Sequence, residues 1–149
     1  MDIWQKTYQA FDKLLTEKIT ALKQQADDLQ QSIASETKSS VGDKYETSRA
    51  MLHLEQEKNN HHLREAQDQR SVLHSLERHS PTEKITTGSL VKTNKGWFFI
   101  SGAFGKTSLE IGMVMAISSV SPLGKSLTDH KVNDSVKVLE TTYLIEAVY

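Results

Sequence analysis

The 149-residue chain contains no cysteine, which excludes cysteine nucleophiles such as those of thiol proteases and thiolase-type condensing enzymes, disulfide scaffolds and thiolate zinc sites. Proline is scarce at 2 residues and glycine at 7, so there is little to break long regular elements. Charge of one sign is not in excess. The 18 Lys plus Arg against 19 Asp plus Glu leave a formal net charge of -1, which excludes a strongly basic nucleic-acid wrapper. No apolar run approaches the roughly 20 residues of a membrane span. The opening MDIWQKTYQAF lacks the basic stretch and apolar core of a secretory signal. A soluble cytoplasmic protein with no membrane partner is the expectation.

What is present is unevenly distributed. All nine Gln residues and five of the six His (53, 61, 62, 74 and 79) precede Pro81, whereas six of the seven Gly follow it. Two architectures therefore meet at Ser80-Pro81, with one domain over residues 1–80 and a second over 81–149.

In the first domain, Trp4, Tyr8, Phe11, Leu15, Ile19, Leu22, Ala26, Leu29 and Ile33 step by three or four, the stripe of an amphipathic helix packed along one seam. A second stripe runs through Met51, Leu54, Ala66, Leu73 and Leu76, with Lys58, His62 and Gln69 at seam positions between them. The second helix, from Asp43 to Arg78, would be about 54 Å long at 1.5 Å per residue, too long and polar to be buried in a small domain. It needs a partner helix. The first domain's sole glycine lies in the breaker-rich Ser39-Ser40-Val41-Gly42-Asp43, so the helices are expected to fold back as an antiparallel coiled-coil hairpin with its tip near 36–46.

Beyond Pro81 the period shortens. Gly88 to Thr93, Trp97 to Ile100, Met113 to Val120, Ser135 to Leu139 and Thr142 to Val148 are β-rich, and Asn94-Lys95-Gly96 suits a hairpin turn. Between them, Ser121 to Leu127 reads as one short helix with Ser121 as N-cap and Pro122 at its first position. The class is α+β: a helical hairpin, then a small antiparallel sheet domain of about five strands and one helix.

Asp43 and Glu46 place two carboxylates three residues apart at the start of the second helix. They can serve as a cap, Asp43 as N-cap and Glu46 reaching back, or as carboxylates delivered on an exposed tip to a divalent ion in another protein's site. Glu36, across the tip, could add a third oxygen. No two histidines of the second helix have the i, i+4 spacing of a zinc pair, so a metal role for them is not expected. Lys38, Lys44, Arg49, Lys58, Arg64 and Arg70 are interspersed with acids and read as a solvated surface before they read as phosphate contacts. Trp97, Phe98, Phe99 and Phe104 read as sheet core.

Gly42-Asp43-x-x-Glu46 at the turn of a hairpin, followed by Ile117-Ser-Ser-Val-Ser-Pro-Leu-Gly-Lys-Ser-Leu and then Val132-Asn-Asp-Ser-Val-Lys-Val, resembles the bacterial Gre transcript-cleavage and elongation factors. The resemblance covers both halves in order, and Ser-Pro-Leu-Gly-Lys-x-Leu is its more specific part. It implies a coiled-coil hairpin followed by a domain resembling FK506-binding proteins. It also implies that RNA polymerase is the partner, with the hairpin entering the secondary channel to meet the RNA 3′ end of backtracked complexes.

By position, Asp43 and Glu46 match the tip acids that share magnesium with the polymerase site, and Ser121, Pro122, Leu123, Gly124 and Lys125 match the docking segment. The resemblance thus implies a monomer that binds no cofactor alone and is not itself an enzyme, but stimulates the polymerase's own nuclease activity. After Glu46 the chain reads Thr47-Ser48-Arg49-Ala50 where that family usually has Asn-Ala-Glu-Tyr. A non-cleaving regulator of the secondary channel is therefore the alternative. Readings from another class are a peptidyl-prolyl isomerase, which needs an aromatic pocket near 97–104, and a chaperone-like arm, for which Val41 and Tyr45 would have to grip clients.

Overall fold

The computed structural model describes the backbone of residues 1–38 and 42–149 and the side chains of residues 1–36 and 46–149. Among the described residues the chain forms three helices and six strands, in the order α1 (Ile3–Lys38), α2 (Gly42–His74), β1 (Leu90–Thr93), β2 (Gly96–Ser101), β3 (Gly105–Leu109), β4 (Gly112–Ser118), α3 (Pro122–Leu127), β5 (Ser135–Val138) and β6 (Thr141–Val148). The helical hairpin followed by a sheet domain with one short helix is the architecture expected. The hairpin turn itself, at residues 39–41, lies outside the described residues.

Asp2 and Gln5 start α1 as a capping box. Asp2 Oδ1 accepts from the Gln5 N–H at 2.8 Å, and Gln5 Oε1 accepts from the Asp2 N–H at 3.2 Å. The seam of α1 is as expected at Trp4, Phe11, Leu15, Ile19 and Leu29, all buried. Thr7 rather than Tyr8 takes the second position, because its hydroxyl donates back to Ile3 O at 2.8 Å and so tolerates full burial.

The seam of α2 departs from expectation. Met51 and Leu54 are 61% and 66% exposed, while Asn59, Ala66 and Leu73 are buried and Leu52, Gln56 and Leu63 are half-buried. Successive steps of four residues rotate the stripe by about 40° each, so a run through 54, 58, 62 and 66 drifts off one face. The alternation of fours and threes through 52, 56, 59, 63, 66, 70 and 73 drifts by only about 20° per seven residues, and it brings two leucines inward in place of Lys58 and His62. The helix also stops at His74 instead of Arg78, and tighter turns follow, with Leu76 N–H to Leu73 O at 3.0 Å and Glu77 N–H to His74 O at 3.2 Å.

The chain packs as two compact units, Leu15–Asp68 and Met1–Leu14 with Gln69–Tyr149. Within the first, the helices pair antiparallel and Asn59 Nδ2 donates to Leu22 O at 3.1 Å. Asn59 is 3% exposed, and its Oδ1 meets no donor among the described residues.

Within the second unit the sheet order is β3-β4-β2-β1-β6-β5. The β1–β2 hairpin turns at Asn94-Lys95 as expected, and Gly96, at φ +124, takes the backbone conformation that needs a glycine. The pairings are antiparallel except β2–β4, which is parallel and so departs from an all-antiparallel sheet. The cause is β3, a sixth strand that the expected set lacked. The chain leaves β2, forms β3 at the sheet edge and hairpins back as β4 between them. Gly105–Leu109 carries only one strongly apolar residue because an edge strand with exposed faces needs no alternation.

The two faces of the sheet bury different sets. On one, Phe99 meets Phe11 with ring centroids 5.7 Å apart and Trp4 at 6.1 Å edge-on. On the other, Val91, Phe98, Ile100, Leu127, Val136 and Ile145 form a contiguous core against which Leu123 packs. At roughly 25 cal/mol per Å² of apolar surface, each fully buried large side chain contributes about 1.5–3 kcal/mol.

Candidate functional site

Two segments carry the candidate site residues. The first is the start of α2. The helix begins at Gly42, so Asp43 sits inside the first turn and is not the N-cap. Asp43's side chain lies outside the described residues, as do those of Lys38, Lys44, Val41 and Tyr45. Glu46 is exposed one turn further on. Two acids in the first turns of a helix are favoured by its dipole, which requires no partner to hold them there.

The second is the β4–α3 corner, where the local sequence explains the geometry atom by atom. Ser121 has extended dihedrals (φ -68, ψ 159) and caps α3, its Oγ accepting from the Gly124 N–H at 3.1 Å while donating to Ser118 O at 2.6 Å. Pro122 follows at the first helical position, where its missing N–H costs nothing. The cap and the proline are those expected.

Gly124 is buried, and a Cβ there would lie 2.0 Å from Ser118 O, so only glycine lets the helix approach the end of β4 this closely. Leu123 packs on the core and Leu127 is wholly inside it. That leaves Pro122 and Lys125 exposed on the outer side. Thr128 closes the helix, its hydroxyl donating to Gly124 O at 2.7 Å. The five residues Ser121 to Lys125 are thus brought together as a rigid, capped corner.

Three further residues shape the corner: Ser118 and Asp134 lie inside the two segments that carry the resemblance but had no role assigned, and Thr128 lies outside both. Ser118 supplies the carbonyl that both fixes the Ser121 hydroxyl and faces Gly124. Thr128 supplies the C-cap. Asp134 ends the following loop, its Oδ2 accepting from the Lys131 N–H at 3.0 Å and lying 3.3 Å from His130 Nδ1. That backbone N–H holds the Asp134 carboxyl below the usual range. The Ser-x-x-Ser spacing of 118 and 121 was the available clue.

The helix surfaces are ordinary. His61 and His62 lie 3.9 and 4.0 Å from Glu65 at exposed positions, and among the described residues no group of three His, Cys, Asp or Glu is placed to hold a metal ion. At the base of the helices, burial alone would raise the Asp12 carboxyl. Hydrogen bonds to His74, 2.8 Å away, and from Arg70, at 3.3 Å, bring it below the usual range instead. His79 stacks on Trp4 at 5.4 Å, and burial holds its imidazole below the ordinary value. No helix of the described residues is long and apolar enough to cross a membrane.

The sequence matches no protein-family model and no curated protein. Among solved structures it is similar to the transcription factor Gfh1, at 19% identity over 94% of each chain and a TM-score of 0.36. It is also similar to GreA factor homolog 1 of Thermus thermophilus, at 18% identity over 94% of this chain and 95% of that one, with a TM-score of 0.35.

Proposed function

We propose that this protein is an RNA polymerase-binding transcription elongation factor that docks through the β4–α3 corner and inserts its helical hairpin into the polymerase secondary channel. The observation that carries the reading is the corner itself. The Ser-Pro-Leu-Gly-Lys segment through which the sequence resembles Gre factors forms a capped turn whose glycine is sterically obligatory and whose Pro122 and Lys125 face outward. A rigid, exposed corner is what a docking surface requires, since little ordering entropy is then lost on binding. The paired long helices supply reach, because a slender hairpin can enter a channel that a globular domain cannot.

In this reading Asp43 and Glu46 act at the RNA 3′ end of backtracked complexes. Carboxylates are the hard oxygen donors that magnesium prefers, and two of them three residues apart are too few for a site of their own, so the ion is one shared with the polymerase. Such an ion supplies charge neutralisation and water activation for phosphodiester hydrolysis. The chain's part is to deliver and orient the two carboxylates. It is therefore an accessory to the polymerase's own nuclease activity, binds no cofactor alone and acts as a monomer in the cytoplasm.

The test is RNA cleavage in stalled, backtracked elongation complexes, comparing the wild-type chain with Asp43→Asn plus Glu46→Gln at matched occupancy. Stimulation by the wild type that falls on the order of a hundredfold in the double variant, with binding retained, is the expected result. Binding without stimulation by the wild type would make the protein a non-cleaving channel regulator, consistent with Thr47-Ser48-Arg49-Ala50 after the acids. Absence of binding to the polymerase would sink the proposal.

A further inference from the structure

Methionine is ordinarily a core-filling residue, yet all four in this chain are exposed, Met1 and Met51 the most and Met113 and Met115 at 50% and 43%. With no cysteine present, these thioethers are the chain's only sulfurs. The wholly buried positions are filled instead by residues such as Phe11, Leu15, Phe99, Ile100 and Leu127. Met113 and Met115 also stand together. Two residues apart on β4, they share one face, opposite Ser108 and Lys106 of β3, and Phe98 of β2 lies beside Met115. One step further along that face Ile117 packs on the core, so the two methionines are the uncovered end of the core-facing side of β4. Both line an open groove of about 410 Å³ between the β1–β2 and β3–β4 turns, which admits a small solute to the two side chains together.

We propose that Met113 and Met115 form a paired, reversible oxidation site that accepts oxygen from hydrogen peroxide while the fold is spared, with Met51 as a further acceptor on α2. In each step the thioether sulfur gives two electrons to the O–O bond. One peroxide oxygen forms the new S–O bond, and the other leaves as hydroxide and takes up the remaining proton, so thioether and peroxide become sulfoxide and water. The return step consumes two thiols: the sulfoxide oxygen leaves as water, the thiols are oxidised to a disulfide, and the thioether is restored, the chemistry of methionine sulfoxide reductases. A sulfoxide is polar and disrupts a core that depends on the apolar side chain. At 113 and 115 water meets the new oxygens, so what changes is the groove, whose apolar wall becomes polar. The absence of sulfur from the buried positions is what lets the rest of the chain stand unaltered in the same oxidant.

The experiment is a hydrogen peroxide time course on the full chain, with oxidation at each methionine read by peptide mass mapping, beside the same course on the chain unfolded in urea. Met113 and Met115 should oxidise within about threefold of their rates in the unfolded chain, because reactivity follows access. Once oxidised and freed of peroxide, the chain should keep the urea midpoint of the untreated protein. Incubating it, still folded, with the two methionine sulfoxide reductases, one for each sulfoxide epimer, and a dithiol should remove the added oxygens. Met113→Leu plus Met115→Leu should take up two fewer oxygens per chain at the same urea midpoint. Oxidation of either residue about tenfold or more slowly than in the unfolded chain would overturn the proposal. So would a midpoint lowered by oxidation in wild type but not in the double variant, or sulfoxides that the reductases repair only after the chain is unfolded.

Discussion

The carbonyl oxygen of Ser118 occupies the space into which any side chain on Gly124 would project, 2.0 Å from where its Cβ would stand. The same carbonyl accepts the Ser121 hydroxyl at 2.6 Å, so one backbone atom sets both the start and the seating of α3. Because the obstacle is backbone and not a flexible side chain, Gly124→Ala must displace the helix from β4. Overpacking of this kind costs about 3 kcal/mol. Urea denaturation should show that loss, while the exposed neighbour change Lys125→Ala stays within about 0.5 kcal/mol of wild type.

Stability should fall as pH drops below about 6.5, the ordinary histidine value. His79 is held below that value in the folded chain because burial against Trp4 disfavours its charged form, partly offset by Tyr149 O 3.4 Å from its Nε2. The unfolded chain therefore takes up the proton first, and the contribution is complete above 6.5 and lost as pH falls towards the folded value. Asp12 has the corresponding effect further down, where its folded carboxyl remains charged below the unfolded value near 3.9. Denaturation midpoints at pH 7.5 and 5.5 should differ more for wild type than for His79→Gln.

Asn59 is buried in the hairpin, and its Oδ1 meets no donor among the described residues. A polar residue at a seam position lowers stability and confers register. Asn59→Leu is expected to raise the unfolding free energy by about 1–2 kcal/mol, since it removes a desolvated acceptor and adds apolar contact. A decrease in the urea midpoint would show that the Asn59 to Leu22 bond outweighs the buried oxygen.

Leu139 turns the β5–β6 hairpin at φ +54 with 89% of its surface exposed. Among the described residues the other non-glycine residues at positive φ, Asp129 and Asn133, are of the types that tolerate it, whereas leucine pays a steric penalty of about 1 kcal/mol or more there. Leu139→Asn should raise the melting temperature by a few degrees, because no packing is lost with the side chain.

Much of this was legible in the residues. The α1 seam, the change of period at Pro81, the Asn94-Lys95 turn and the Ser121 cap all follow from spacing and local chemistry. Elsewhere local preference was ambiguous. The stripes through Leu54 and Leu52 both lead into Ala66, and the choice between them depends on the facing helix. Gly105–Leu109 became a strand because β4 offered it an edge. Of the candidate site, the residue types at 43, 46 and 121–125 were plain, but no residue type shows that the backbone carbonyl of Ser118, in the same segment, is what makes Gly124 indispensable.

The sequence by itself determined the two long helices, the apolar seam of α1, five of the six strands and the capped start of α3, because dihedral preference, capping and periodicity act within a few residues. Only the tertiary structure decided the parallel β2–β4 pairing, the strand at Gly105–Leu109, the burial of Asn59 and the approach of Gly124 to Ser118. Those depend on groups distant in the chain competing for the same space, and that competition is settled by packing the whole unit at once.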